Sequence, residues 1–111
     1  MHYLRMGARR ILVANEFTSY RQTLAIVIRD LRPHVEVFEA ESESLDGEIA
    51  RLDPDLVICS RVTRTVKQRV ANWVELYPDC KPYSTFCIGG ERRAKRDVQL
   101  SDLLDLCASL R

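Results

Sequence analysis

The chain has 111 residues, of which 46% are hydrophobic and 30% charged. That composition suits one globular domain over residues 1–111, and it excludes disordered and collagen-like chains. Seventeen bases against sixteen acids leave a formal net charge of +1, so no bulk field points to nucleic acid or to a membrane surface. No apolar run approaches the roughly 20 residues that a spanning helix needs.

Arg10-Ile-Leu-Val-Ala14 is a short run with β-branched residues, the pattern of a strand buried on both faces, and it ends at the polar pair Asn15-Glu16. From Ser19 the period changes. Tyr20, Leu24, Val27, Ile28 and Leu31 recur at steps of three and four, which predicts a helix with that stripe toward the core. Ser19 and Gln22 have capping-box spacing, and Pro33 supplies the stop. Val35 to Ala40 reads as a second strand whose acids suit a sheet edge. Leu45, Ile49 and Leu52 mark a short helix, weakened by Gly47 and closed by Asp53-Pro54.

Leu56-Val-Ile-Cys59 is apolar throughout and reads as a central third strand, followed by Ser60-Arg61. Val62, Val66 and Val70 predict a basic, one-sided helix of two turns. Trp73 to Tyr77 alternates as a fourth strand, and Tyr83 to Ile88 forms a fifth that ends at Gly89-Gly90. Only Pro78 to Pro82 connect them. A parallel crossover needs about ten residues or more, so these two strands are expected to be antiparallel neighbours. Glu91 to Val98 reads as a charged loop. Leu100, Leu103, Leu104, Cys107 and Leu110 then mark a C-terminal helix with Ser101 as its cap. The expected fold is an α/β three-layer sandwich around a five-stranded sheet of order 2-1-3-4-5, mostly parallel with strand 5 antiparallel to strand 4.

Charge is unevenly distributed. Six acids and no base lie between Glu36 and Glu48; four bases and no acid lie between Arg61 and Arg69. Arg92, Arg93, Lys95 and Arg96 form a second basic cluster. Such runs read as solvated faces, or as an acidic and a basic patch that meet a partner or each other in an oligomer. Cys59, Cys80, Cys87 and Cys107 lack close metal-ligand spacing, and only His2 and His34 could join them, so no metal site is expected. Three of the four thiols fall in apolar stretches. Arg5, Arg9 and Arg10 are not followed by a leader-like apolar segment, and together these features point to a cytoplasmic protein.

Arg10-Ile-Leu-Val-Ala-Asn-Glu-Phe, the helix opening Ser-Tyr-Arg-Gln-Thr-Leu, and Pro54-Asp-Leu-Val-Ile-Cys-Ser60 resemble the first half of a response-regulator receiver domain, over residues 9–61. The resemblance implies a flavodoxin-like fold and a signalling role. Receivers accept a phosphoryl group on an aspartate at the end of the third strand, beside two acids that hold Mg²⁺. Position by position, Asn15 and Glu16 stand at the acidic pair and Ser60 at the phosphoacceptor. Serine cannot form the labile acyl phosphate, and one carboxylate makes a weak Mg²⁺ site. The resemblance therefore implies a degenerate receiver: no enzyme, no metal, no cofactor. Lys81-Pro82-Tyr83 echoes the family's Lys-Pro-aromatic element, but it stands before a strand instead of after one.

Other chemistry is weighed from the residues. Asn15, Glu16, Ser60 and Arg61 are expected at the strand ends where doubly wound sheets bind ligands. There they form either a site for a small anion or nucleotide, or a closed rim in which Arg61 pairs with Glu16. Cys87 and Arg93 match the Cys-x₅-Arg spacing of phosphatase loops, yet no helix follows the arginine to complete the anion site. The basic helix comes without a helix-turn-helix, a stacking platform or a zinc motif, so nucleic acid is not expected as a partner. Trp73, Tyr77 and Tyr83, with the C-terminal helix, are the expected contact surface for a protein partner or a homodimer. The leading expectation is a non-catalytic protein-interaction module.

Overall fold

A computed structural model describes residues 7–110. His2 and Arg5 lie outside the described residues. Strands with no exposed side chain need cover on both sides, and two such strands organise this molecule. In β1 (Arg10–Ala14), Ile11 to Ala14 are fully buried, and β3 (Leu56–Cys59) is buried throughout. They pair in parallel, with Ala14 opposite Cys59. The more polar β2 (Glu36–Glu39) flanks β1 as the sheet edge, and β4 (Asn72–Glu75) continues the parallel sheet beyond β3. β5 (Tyr83–Ile88) turns antiparallel to β4, as its short connection requires.

Side-chain alternation sorts the core into two layers. Ile11, Val13, Leu56, Ile58 and Val74 face α1 (Thr18–Leu31) and α4 (Leu100–Ser109). Leu12, Ala14, Val57, Cys59 and Trp73 face α2 (Leu45–Leu52) and α3 (Arg64–Arg69). The helices thus cover both faces of a central sheet. No helix among the described residues is long and apolar enough to cross a membrane.

Five local expectations are corrected. The sheet has six strands in the order β2-β1-β3-β4-β5-β6, because Glu91–Arg96 is β6, antiparallel to β5, and not a loop. Gly89 and Gly90 have φ of 58° and 86°, the positive values that a two-residue hairpin turn needs. Every β6 side chain is exposed, so the strand carries no hydrophobic alternation to reveal it. The fourth strand is also shorter than its sequence suggests: Tyr77 turns left-handed, φ 46°, and its N–H donates to Ser84 Oγ at 2.9 Å.

α1 begins at Thr18 after Phe17, without a side-chain cap, so Ser19 and Gln22 form no capping box. Its buried stripe is Arg21, Leu24, Ala25 and Ile28, which leaves Tyr20 and Leu31 at the flanks, 45% and 52% exposed. α4 starts two residues earlier than a Ser101 cap would place it. Gln99 N–H donates to Asp102 Oδ2 at 2.7 Å, and the Gln99 side chain reciprocates, closing a capping box.

That box gives a pH prediction. The Gln99 amide, and then Lys95 Nζ at 3.0 Å, hold the Asp102 carboxyl below its ordinary pKa. A depressed folded-state pKa adds stability that is present above the unfolded value and is lost as pH falls through the folded one. Chemical denaturation of wild type and Asp102→Asn is expected to show a stability difference at neutral pH that shrinks below about pH 4.

Candidate functional site

The carboxyl ends of β1 and β3 lie side by side because those strands pair in register, and this brings Asn15, Glu16 and Ser60 together. Glu16 N–H donates to Ser60 Oγ at 2.9 Å, tying the two strand ends across the rim. Asn15 is 2% exposed, and its Oδ1 is buried with no hydrogen-bond partner among the described residues. Its backbone carbonyl accepts from Arg21 Nη1 at 2.9 Å.

Sequence reasoning missed Arg21 as a rim residue. The signal was its place three and four residues before Leu24 and Ala25, on the stripe that α1 turns inward. The planar Arg21 guanidinium holds the β1 end through Nη1, with Thr18 Oγ1 at 3.5 Å as a second acceptor.

Arg61 does not join this group. Its expected pairing with Glu16 is replaced by an exposed ion pair to Asp79 at 2.6 Å. The turn after β4 places Asp79, itself left-handed at φ 53°, on the side toward which Arg61 leaves the rim. Val62 N–H, next along, donates to Glu75 Oε2 at 2.8 Å, which fixes that exit.

Around Asn15, Glu16 and Ser60 opens a cleft of about 590 Å³, walled by Phe17, Tyr20, Tyr77, Asp79 and Cys80. Its walls are aromatic and acidic. Burial, and then the nearby Tyr77, push the Tyr20 hydroxyl above its ordinary pKa. No cluster of three or more His, Cys, Asp or Glu suited to a metal ion occurs among the described residues.

The three aromatic residues expected to form one contact surface are separated. Trp73 is 4% exposed, in the layer shared with α3, with the Arg92 guanidinium 5.4 Å from its ring centroid. Tyr83 is half-buried on the same side of the sheet, with Lys81 Nζ 6.0 Å from its ring centroid. Tyr77 packs against the opposite core layer and donates through its hydroxyl to Val98 O at 3.3 Å.

On that opposite side, a groove of about 650 Å³ runs between α4 and the β5–β6 hairpin. Phe86, Ile88 and Leu106 form its apolar part, and Arg93, Lys95 and Asp105 lie along it. The strand register explains the exchange: alternate β5 residues point to opposite layers, and Phe86 and Ile88 are the ones that point toward α4.

Cys87 and Arg93 form no phosphate cradle. Cys87 pairs with Arg92 across the hairpin, so the Arg93 side chain emerges on the other face of the sheet. Burial, with the Glu75 carboxylate adding to it, pushes the Cys59 thiol up to about 12; burial pushes Cys107 up to about 11. Cys80 alone among the four is exposed. Native-state alkylation with iodoacetamide is accordingly expected to modify Cys80 first and alone, with Cys59, Cys87 and Cys107 reacting only after denaturation, as peptide mass mapping would show.

No family model, no curated protein and no solved structure matches this chain.

Proposed function

We propose that the chain is a degenerate, flavodoxin-like receiver domain: a non-catalytic signalling module that acts by binding another protein. The observation that carries this reading is the Glu16 N–H···Ser60 Oγ bond of 2.9 Å at the end of the central strand. It sits where a receiver holds its phosphoacceptor beside its metal-binding acids. A hydroxyl in that place makes no acyl phosphate, and here it is already engaged as an acceptor in closing the rim.

The parallel order β2-β1-β3, with helices on both faces, agrees with the first half of a receiver. The departure is the short turn from β4 into the antiparallel β5–β6 hairpin, which stands where the family carries a helix between its fourth and fifth strands. The groove between this hairpin and α4 is the contact surface in this reading. Phe86, Ile88 and Leu106 supply an apolar centre and the charged side chains a polar edge, the anatomy of a modest protein interface. A small-anion site at the rim has less support, because Glu16 and Asp79 wall the cleft and Arg61 is occupied by Asp79.

Two measurements test the proposal. After incubation with acetyl phosphate and Mg²⁺, intact mass is expected to show no phosphoryl adduct; an acid-stable or hydroxylamine-labile adduct would overturn the silent rim. A photo-crosslinking amino acid at position 88 or 106 is expected to give a discrete adduct in the native host, while one at the exposed position 26 on α1 gives none. Equal or absent crosslinking at all three positions would remove the groove as a contact surface.

A further inference from the structure

We propose that the face formed by α3 and the β5–β6 hairpin binds the phosphodiester backbone of a nucleic acid. The two basic clusters, some 25 residues apart in sequence, meet on one side of the molecule. Lys67 and Arg69 of α3 and Arg92 of β6 line a common concavity of about 470 Å³. Arg64 precedes Lys67 by three residues and so shares its helix face. Register extends the patch along β6: Arg92 is opposite Cys87 and Arg96 opposite Tyr83, so both side chains emerge on the side of the sheet that α3 covers.

The pattern of ion pairing sets these side chains apart from most other cations. Arg9 is matched with Asp55, Arg10 with Glu36, Arg29 with Glu39, Arg51 with Glu48 and Arg61 with Asp79, while Arg21 and Arg32 hold backbone carbonyls and Lys81 lies over the Tyr83 ring. On β6 itself the residues of the opposite face are matched too, Arg93 with Glu91 and Lys95 with Asp102. Arg64, Lys67, Arg69, Arg92 and Arg96 have no carboxylate partner in any ion pair found among the described residues. All five are exposed. Five uncompensated charges held together on rigid elements repel one another, and a polyanion relieves that repulsion.

The chemistry favours nucleic acid over an acidic protein. Four of the five cations are arginines, whose planar fork holds phosphate oxygens two at a time. The concavity offers no exposed apolar anchor of the kind a protein interface is built on, since Trp73 and Cys87 at its floor are 4% and 5% exposed. Trp73 lies beneath Arg92 and cannot stack on a base, so contacts are to phosphate and carry no sequence preference.

Fluorescence anisotropy with a labelled DNA duplex of about 20 base pairs, and with RNA of equal length, tests this across salt concentration. Five phosphate contacts on a duplex predict a log–log salt slope of about −4.5, a loss of roughly 500-fold in affinity between about 50 and 200 mM salt. The double variant Arg69→Ala/Arg96→Ala is expected to bring the duplex slope to about −2.7, a loss of roughly 40-fold over the same range. Arg29→Ala/Arg32→Ala, at the end of α1 on the opposite side of the sheet, is expected to leave wild-type binding in place, and thermal melts establish that both variants fold. Tighter binding to duplex than to RNA, or the reverse, names the source of the backbone. The proposal is overturned by no binding at low salt, by equal losses in the two variants, or by polyglutamate competing as well as nucleic acid does.

Discussion

The parallel pairing of two strands buried on both faces is the constraint on which the rest of the molecule depends. Because Ile11 to Ala14 and Leu56 to Ile58 are fully buried, neither β1 nor β3 can slip by one residue without sending a row of apolar side chains into the wrong layer. Register fixed in this way fixes the rim. Asn15 and Glu16 leave β1 beside the point where Ser60 leaves β3, and the Glu16 N–H finds the serine hydroxyl. Arg21 reinforces the arrangement from α1 by holding the Asn15 carbonyl. The chemical silence proposed for the rim rests on this geometry as much as on the identity of residue 60.

The second half of the chain solves a different packing problem. A sheet that stops at β4 would present an unpaired edge, and the chain extends it through a tight turn and a glycine-glycine hairpin instead of a crossover helix. The outermost strand is then exposed on both faces and consists almost wholly of charged side chains, which discourages edge-to-edge association. The hairpin has two unlike sides. Toward α4 it makes a partly apolar groove with matched charges; toward α3 it offers arginines without acids. A module that binds protein on one side and nucleic acid on the other is the picture the two proposals give together.

Most of the framework was legible in the sequence because strong local signals agreed with tertiary packing. The runs Arg10–Ala14 and Leu56–Cys59 and the stripe Leu45, Ile49, Leu52 each lie where period and burial coincide. The link between β4 and β5, read as five residues and observed as seven (76–82), determined their antiparallel direction by length alone. β6 was illegible because a strand exposed on both faces has no reason to alternate. The α1 stripe was misjudged at its edges, since Tyr20 and Leu31 were counted as core and Arg21 was left out of it. Asn15, Glu16 and Ser60 were placed together correctly by topology. Arg61 was not, because its partner Asp79 comes from a turn whose left-handed residues, Tyr77, Asp79 and Cys80, include no glycine to announce it.

The central claim is that Ser60 closes the rim by accepting the Glu16 N–H, and amide hydrogen exchange measured residue by residue in wild type and Ser60→Ala tests it most directly. The account predicts a protected Glu16 amide in the wild type, loss of that protection in the variant, and unchanged protection at Val13 within β1. A Glu16 amide that exchanges freely in the wild type, or that is equally protected in both proteins, would contradict it.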